Sequence, residues 1–89
     1  MTARRAVVRG VVQGVGFRFF AQRSARALGV RGWVRNRADG CVESVAEGDE
    51  TAVAEYLARL ERGPIGSRVE GVDVESIDPV WAEGFEVRR

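Results

Sequence analysis

Two periods divide this chain. In some stretches apolar and polar residues alternate, and in others the apolar residues recur every three or four positions, so strands and helices can be assigned from the pattern. The run AVVRGVV is rich in β-branched residues and ends at glycines, which predicts a strand from about Ala6 to Val12. The turn QGVG follows. From Phe17 the apolar and small residues fall at helical spacing (Phe17, Phe20, Ala21, Ser24, Leu28), with Arg23 and Arg26 on the other face and Gly29 as a C-terminal stop.

VRGWVRN alternates Val30, Gly32 and Val34 against Arg31, Trp33 and Arg35, and CVESVAEG continues after RADG. Asp39-Gly40 is a tight-turn signal, so the two runs form a hairpin. A second helix is predicted from about Asp49 to Arg62: Val53, Leu57 and Leu60 share a face, Asp49 and Glu50 suit the N-terminus, and Gly63-Pro64 closes it. RVEGVDVESI then alternates again, and GFEVRR adds a short last strand beyond the turn around Pro79. The order βαββαβ with a fifth strand predicts an α+β fold, the ferredoxin-like split βαβ sandwich. Its expected form is one antiparallel sheet with both helices on one face, since right-handed crossovers leave few other windings.

At 89 residues, positions 1–89 are expected to form a single domain. A formal net charge of +1 gives no field suited to duplex nucleic acid. All fourteen basic residues are Arg, and there is no Lys and no His. Schiff-base chemistry, imidazole acid-base work and phosphohistidine formation are therefore excluded. The single cysteine, Cys41, has no partner for an internal disulfide, and without His or a CxxC pair a zinc site lacks its usual ligands. MTARRAVV lacks the uninterrupted apolar core of a signal peptide, and no stretch approaches the roughly 20 apolar residues of a membrane span. A soluble, cytoplasmic, monomeric protein with no membrane partner is expected.

The first stretch with chemistry is the loop from Val12 to Phe17, between the first strand and the first helix. Backbone N–H groups there lack intrahelical partners, and the helix dipole favours negative charge. Gly14 and Gly16 allow positive φ, which would turn those amides into a concave nest of donors. Arg18 adds a permanently charged fork in the first helical turn, where a cation is unfavourable by about 0.3–1 kcal/mol unless an anion offsets it. Spacing alone leaves two readings open, an anion nest or a plain turn with a solvated arginine. The loop is neither a Walker A motif, having no GK[ST], nor a GxGxxG fingerprint.

The second is Asn36, the only asparagine, at the end of the second strand. It suits a strand end as a turn former, and its carboxamide is equally suited to orienting a water. Cys41 reads as a small, half-buried packing residue, since no base is available to activate it. Trp33 reads as a partly exposed sheet residue within reach of Arg31 or Arg35. Glu43, Glu47, Asp73 and Glu75 alternate with apolar residues as solvated faces do, and none is assigned a metal.

Taken together, GVVQGVGFR and GWVRNRADGCVE resemble the two signature segments of the acylphosphatase family, approximately GxVQGVxFR and GWVxNxxDGxVE. They cover about a quarter of the chain. The element order, the length and the GF near the C-terminus agree with that family as well. The resemblance implies a ferredoxin-like fold that hydrolyses the carboxyl-phosphate bond of small-molecule acyl phosphates, with no cofactor, no metal and no covalent phosphoenzyme. It places the phosphate-binding arginine at Arg18 and the water-positioning asparagine at Asn36. The amides that cradle the phosphate fall at Gln13, Gly14, Val15 and Gly16.

Two departures bear on this. Val11 stands where relatives often carry a basic or polar residue, and Arg88-Arg89 stand where an aromatic terminal residue is frequent. In some members the terminal carboxylate holds the active-site arginine, which leaves open whether Arg89 does so here. An RNA-binding module of similar topology is the competing class. The aromatics Phe17, Phe19 and Phe20 sit on the helix instead of the strands, and the [KR]-G-[FY]-[GA]-F pattern is missing, so no nucleic-acid partner is expected.

Overall fold

The computed structural model describes all residues from Met1 to Arg89. Its elements are β1 (Thr2–Val11), α1 (Phe17–Leu28), β2 (Arg31–Asn36), β3 (Val42–Gly48), α2 (Glu50–Arg62), β4 (Arg68–Ser76) and β5 (Phe85–Arg88). The five strands form one sheet in the order β4-β1-β3-β2-β5. Both helices lie on the same face, because Ala6 and Val8 of β1, Val34 of β2 and Ala46 of β3 share one core with Phe17 and Ala21 of α1 and Tyr56 and Leu60 of α2. This is the α+β sandwich that the order of elements predicts.

The sheet is mixed where an antiparallel one is expected. β1 pairs antiparallel with β3 and β4, and β2 with β3, but β5 runs parallel to β2. The reason is the route of the chain. β4 and β5 occupy opposite edges, and residues 77–84 cross one end of the sheet between them. Ile77 N–H donates to the Ala3 carbonyl, Val80 and Ala82 N–H donate to the Glu47 carboxylate at 2.8 and 2.5 Å, and Gly32 N–H donates to the Gly84 carbonyl. A single crossing reverses the direction of β4, which is the direction β2 already has.

β1 also begins at Thr2 instead of Ala6. Its polar first residues are held by partners distant in sequence, with Thr2 opposite Gly48 and Arg5 opposite both Val45 and Glu75. Two carboxylates expected on a solvated face are buried. Glu43 and Glu47 are 3% and 0% exposed, because β3 is the central strand and its non-helix face is covered. Arg5 and Arg35 cover Glu43, donating to it at 2.5 and 2.7 Å, and the crossover covers Glu47. Asp73 and Glu75 are exposed, as expected, and pair with Arg9 and Arg5. Trp33 lies between Arg35 and Arg88, with guanidinium carbons 5.7 and 4.7 Å from the ring centre.

The two helices begin differently. α2 is capped by Asp49, whose carboxylate accepts from Thr51 N–H at 3.1 Å, with Glu50 in its first turn. α1 starts at Gly16 in the left-handed region with no side-chain cap and no acidic residue in its first turn. No helix is long and apolar enough to cross a membrane.

Candidate active site

The loop between β1 and α1 takes its shape from two glycines. Gly14 and Gly16 have φ of 73° and 78°, values that side-chain-bearing residues adopt only at a cost. None of the amides of Gln13, Gly14, Val15 and Gly16 donates to a backbone carbonyl. Their donors and those of the uncapped N-terminus of α1 are left free, which gives the loop a positive potential; Gly14 and Gly16 line the adjoining cavity, whereas Gln13 and Val15 do not.

A cavity of about 100 Å³ lies at this point, lined by Val12, Gly14, Gly16, Phe17, Arg18, Phe19 and Asn36. Arg18 and Asn36, 18 positions apart in sequence, meet here because β2 lies alongside α1 and ends beside its first turn. Asn36 projects on the same face of β2 as the core residue Val34. Its Oδ1 is the one buried side-chain nitrogen or oxygen in the protein without a hydrogen-bond partner. Buried polar atoms are nearly always paired, so an unpaired acceptor on a residue that lines a cavity stands out as a group for which the protein itself supplies no donor.

Arg18 forms none of the protein's ion pairs. One nitrogen, Nη1, donates to the Arg88 carbonyl at 3.2 Å, and this is the contact that the C-terminal segment supplies. The Arg89 carboxylate does not pair with it. Val11 is 55% exposed, pairs with Arg68 and does not line the cavity, so the departure at that position leaves the site intact.

Gln13 does more than contribute an amide. Its side-chain Nε2 donates to the carbonyls of Arg37 at 2.7 Å and Cys41 at 2.9 Å, fastening the loop to the hairpin turn that follows Asn36. That turn is closed by Arg37 N–H on the Cys41 carbonyl and by Cys41 N–H on Asp39 Oδ1. The two signature segments are thus one hydrogen-bonded unit, and the role of the Gln13 side chain was not visible from spacing. Cys41 stays a packing residue: burial first, and then the neighbouring Asp39 carboxylate, push its thiol above the usual range, away from a nucleophilic thiolate. A larger cleft of about 670 Å³ against Trp33 and β5 includes none of the six predicted site residues.

Known proteins resemble this chain over nearly its whole length. The acylphosphatase family model matches residues 4–87. An acylphosphatase from Rhizorhabdus wittichii is 53% identical over 83 residues, covering 93% of this chain and 84% of its own length. One from Moorella thermoacetica is 49% identical over 82 residues, covering 92% and 88%. The crystal structure of acylphosphatase from Bacillus subtilis superposes with a TM-score of 0.97 at 37% identity, over 100% of both chains. A cavity with free amides, an arginine without an ion pair and an unpaired carboxamide oxygen is thus found in a chain that belongs to the acylphosphatase family.

Proposed function

We propose that this protein hydrolyses acyl phosphates to a carboxylate and inorganic phosphate, with Arg18 and the amides of Gln13, Gly14, Val15 and Gly16 holding the phosphoryl group and Asn36 orienting the attacking water. The observation that carries the assignment of roles is the unpaired Oδ1 of Asn36, which shares one cavity with Arg18 and the glycines of the loop. A water bound in the cavity is oriented by the Asn36 carboxamide, so that an oxygen lone pair points towards the phosphorus. The new P–O bond forms from that water as the bond from phosphorus to the acyl oxygen breaks. The departing oxygen leaves as a carboxylate.

The chemistry asks little of the side chains. A carboxylate is a good leaving group, and phosphoryl transfer depends mainly on positioning and charge stabilisation. This is why a chain without His or Lys suffices. No carboxylate or thiol lines the cavity, so the proton lost by water passes to a phosphoryl oxygen of the substrate. Arg18 and the amides meet the charge on the equatorial oxygens, and their preorganisation is the catalytic contribution. The substrate in turn offsets the unfavourable arginine in the first turn of α1. The cavity is lined by residues of one chain, which supports a monomeric enzyme.

The test is hydrolysis of acetyl and benzoyl phosphate with and without a chelator, alongside a phosphate monoester. Chelator-resistant turnover of the two acyl phosphates, with little action on the monoester, is expected. Loss of activity on chelation would overturn metal independence, and full activity in Asn36→Ala would overturn the role of Asn36.

A further inference from the structure

The cavity beside Arg18 and Asn36, about 100 Å³ in volume, is the smaller of two adjoining spaces. Adjoining it is a shallow groove of about 820 Å³ between the start of α1 and the α2–β4 loop. Gly16 and Phe19 line both. A group attached to a phosphoryl bound in the cavity therefore meets a groove walled by Phe19, Phe20, Pro64 and Ile65, with Gln22 and Arg23 at its edge.

The groove presents apolar groups where solvent would favour polar ones. Phe19 is 66% exposed, since Phe17 occupies the buried side of the helix and a residue two places on faces outward. Facing it across the groove, Ile65 is fully exposed. Val15 and Pro64 also line it. Ile65 is held in that position: Ser67 N–H and Oγ both bond the Pro64 carbonyl, at 3.1 and 2.7 Å, and Gly66 has φ of 93°. This is the pattern of a type II turn with glycine at its third position. An isoleucine held out on a rigid turn, opposite an exposed phenylalanine and next to the phosphate cavity, is arranged for contact with a ligand.

We infer that this groove is the acyl subsite, and that the protein selects acyl phosphates whose acyl group is an apolar ring or chain. The inference rests on the acyl-phosphatase reading above. With phosphate in the cavity, the carbonyl carbon emerges past Gly16, and a ring attached to it lies between Phe19 and Ile65. A methyl group, as in acetyl phosphate, offers this surface much less apolar area than a ring does.

The experiment compares kcat/KM for benzoyl and acetyl phosphate in the wild type, in Phe19→Ser, in Ile65→Ser and in Trp81→Ser. Trp81 is also exposed and apolar but lies on the crossover away from the groove. The benzoyl-to-acetyl ratio is expected to fall about tenfold in Phe19→Ser and Ile65→Ser, the scale on which apolar pockets discriminate, and to stay at the wild-type value in Trp81→Ser. Both groove residues are exposed, so far-UV circular dichroism should show intact folds, and either variant alone carries the test. A ratio within twofold of wild type in both groove variants overturns the acyl subsite while leaving the activity standing. A dimer that Ile65→Ser converts to monomer, with the ratio unmoved, overturns it in favour of self-association. No turnover of either substrate by the wild type removes the function and the subsite together.

Discussion

Arg18 in the first turn of α1 donates through Nη1 to the backbone carbonyl of Arg88 in β5, 70 residues away. The parallel pairing of β5 with β2 puts that carbonyl in reach, since Arg88 lies beside Arg35, the neighbour of Asn36. One end of the guanidinium is thereby anchored while the rest stays free for an anion. Ending the chain after Val87 removes the acceptor. One hydrogen bond of about 1 kcal/mol corresponds to roughly a fivefold change, so KM for acetyl phosphate is expected to rise by about that factor. An unchanged KM in steady-state kinetics would show that the tether has no part in binding.

Asn36→Ala should separate activity from stability. Losing one positioned polar group lowers kcat by about 10²–10³-fold, with little change in KM. The unfolding free energy should be equal to or above that of the wild type, because the variant deletes a buried acceptor that no other group of the protein pairs. A kcat loss accompanied by marked destabilisation in urea titrations would instead mean that Asn36 is a structural residue.

Glu43 should govern part of the acid limb of stability. Burial pushes its carboxyl up, but the hydrogen bonds and charges of Arg35 and Arg5 outweigh this and hold it below the usual carboxylate value. With the native value depressed, the unfolded chain binds the proton more readily. The stabilisation is thus complete above the ordinary glutamate value of about 4.3 and is lost as pH falls through the native value. Glu43→Gln is expected to lower the unfolding free energy near neutral pH by about 1–3 kcal/mol, a figure kept modest because Arg5 and Arg35 retain access to water. The gap between wild type and variant should close below about pH 4. A gap independent of pH would exclude ionisation of Glu43 as its source.

Glu47 is the latch on the crossover. Glu47→Ala leaves the amides of Val80 and Ala82 without their acceptors, which should cost about 2–4 kcal/mol for two charge-assisted bonds. Limited chymotrypsin digestion should then cut near Trp81, which is already 71% exposed, well before the wild type is cut. Glu47→Gln keeps a neutral acceptor and is expected to fall between the two.

Much of the molecule was legible in the order of its residues because local periodicity reports which face of an element is buried. α1 begins and ends where the spacing of Phe17, Ala21 and Ser24 and the Gly29 stop place it, and the hairpin turns at Asp39-Gly40. The loop between β1 and α1 was legible as glycines before an uncapped helix, and Arg18 as a cation on the wrong end of a dipole. The residues to which these were joined were not legible. That Asn36 shares a cavity with Arg18, that the Gln13 side chain fastens one signature to the other, and that Arg88 holds the guanidinium all depend on pairings between separate strands. Glu43 and Glu47 show the limit most directly. Their alternation with apolar residues correctly put them on the face away from the helices, but a carboxylate on such a face is solvated or buried according to what the neighbouring strands and crossover lay over it. Alternation is a property of one strand, whereas strand order, the direction of β5 and the covering of β3 arise only when backbone donors and acceptors from distant segments pair.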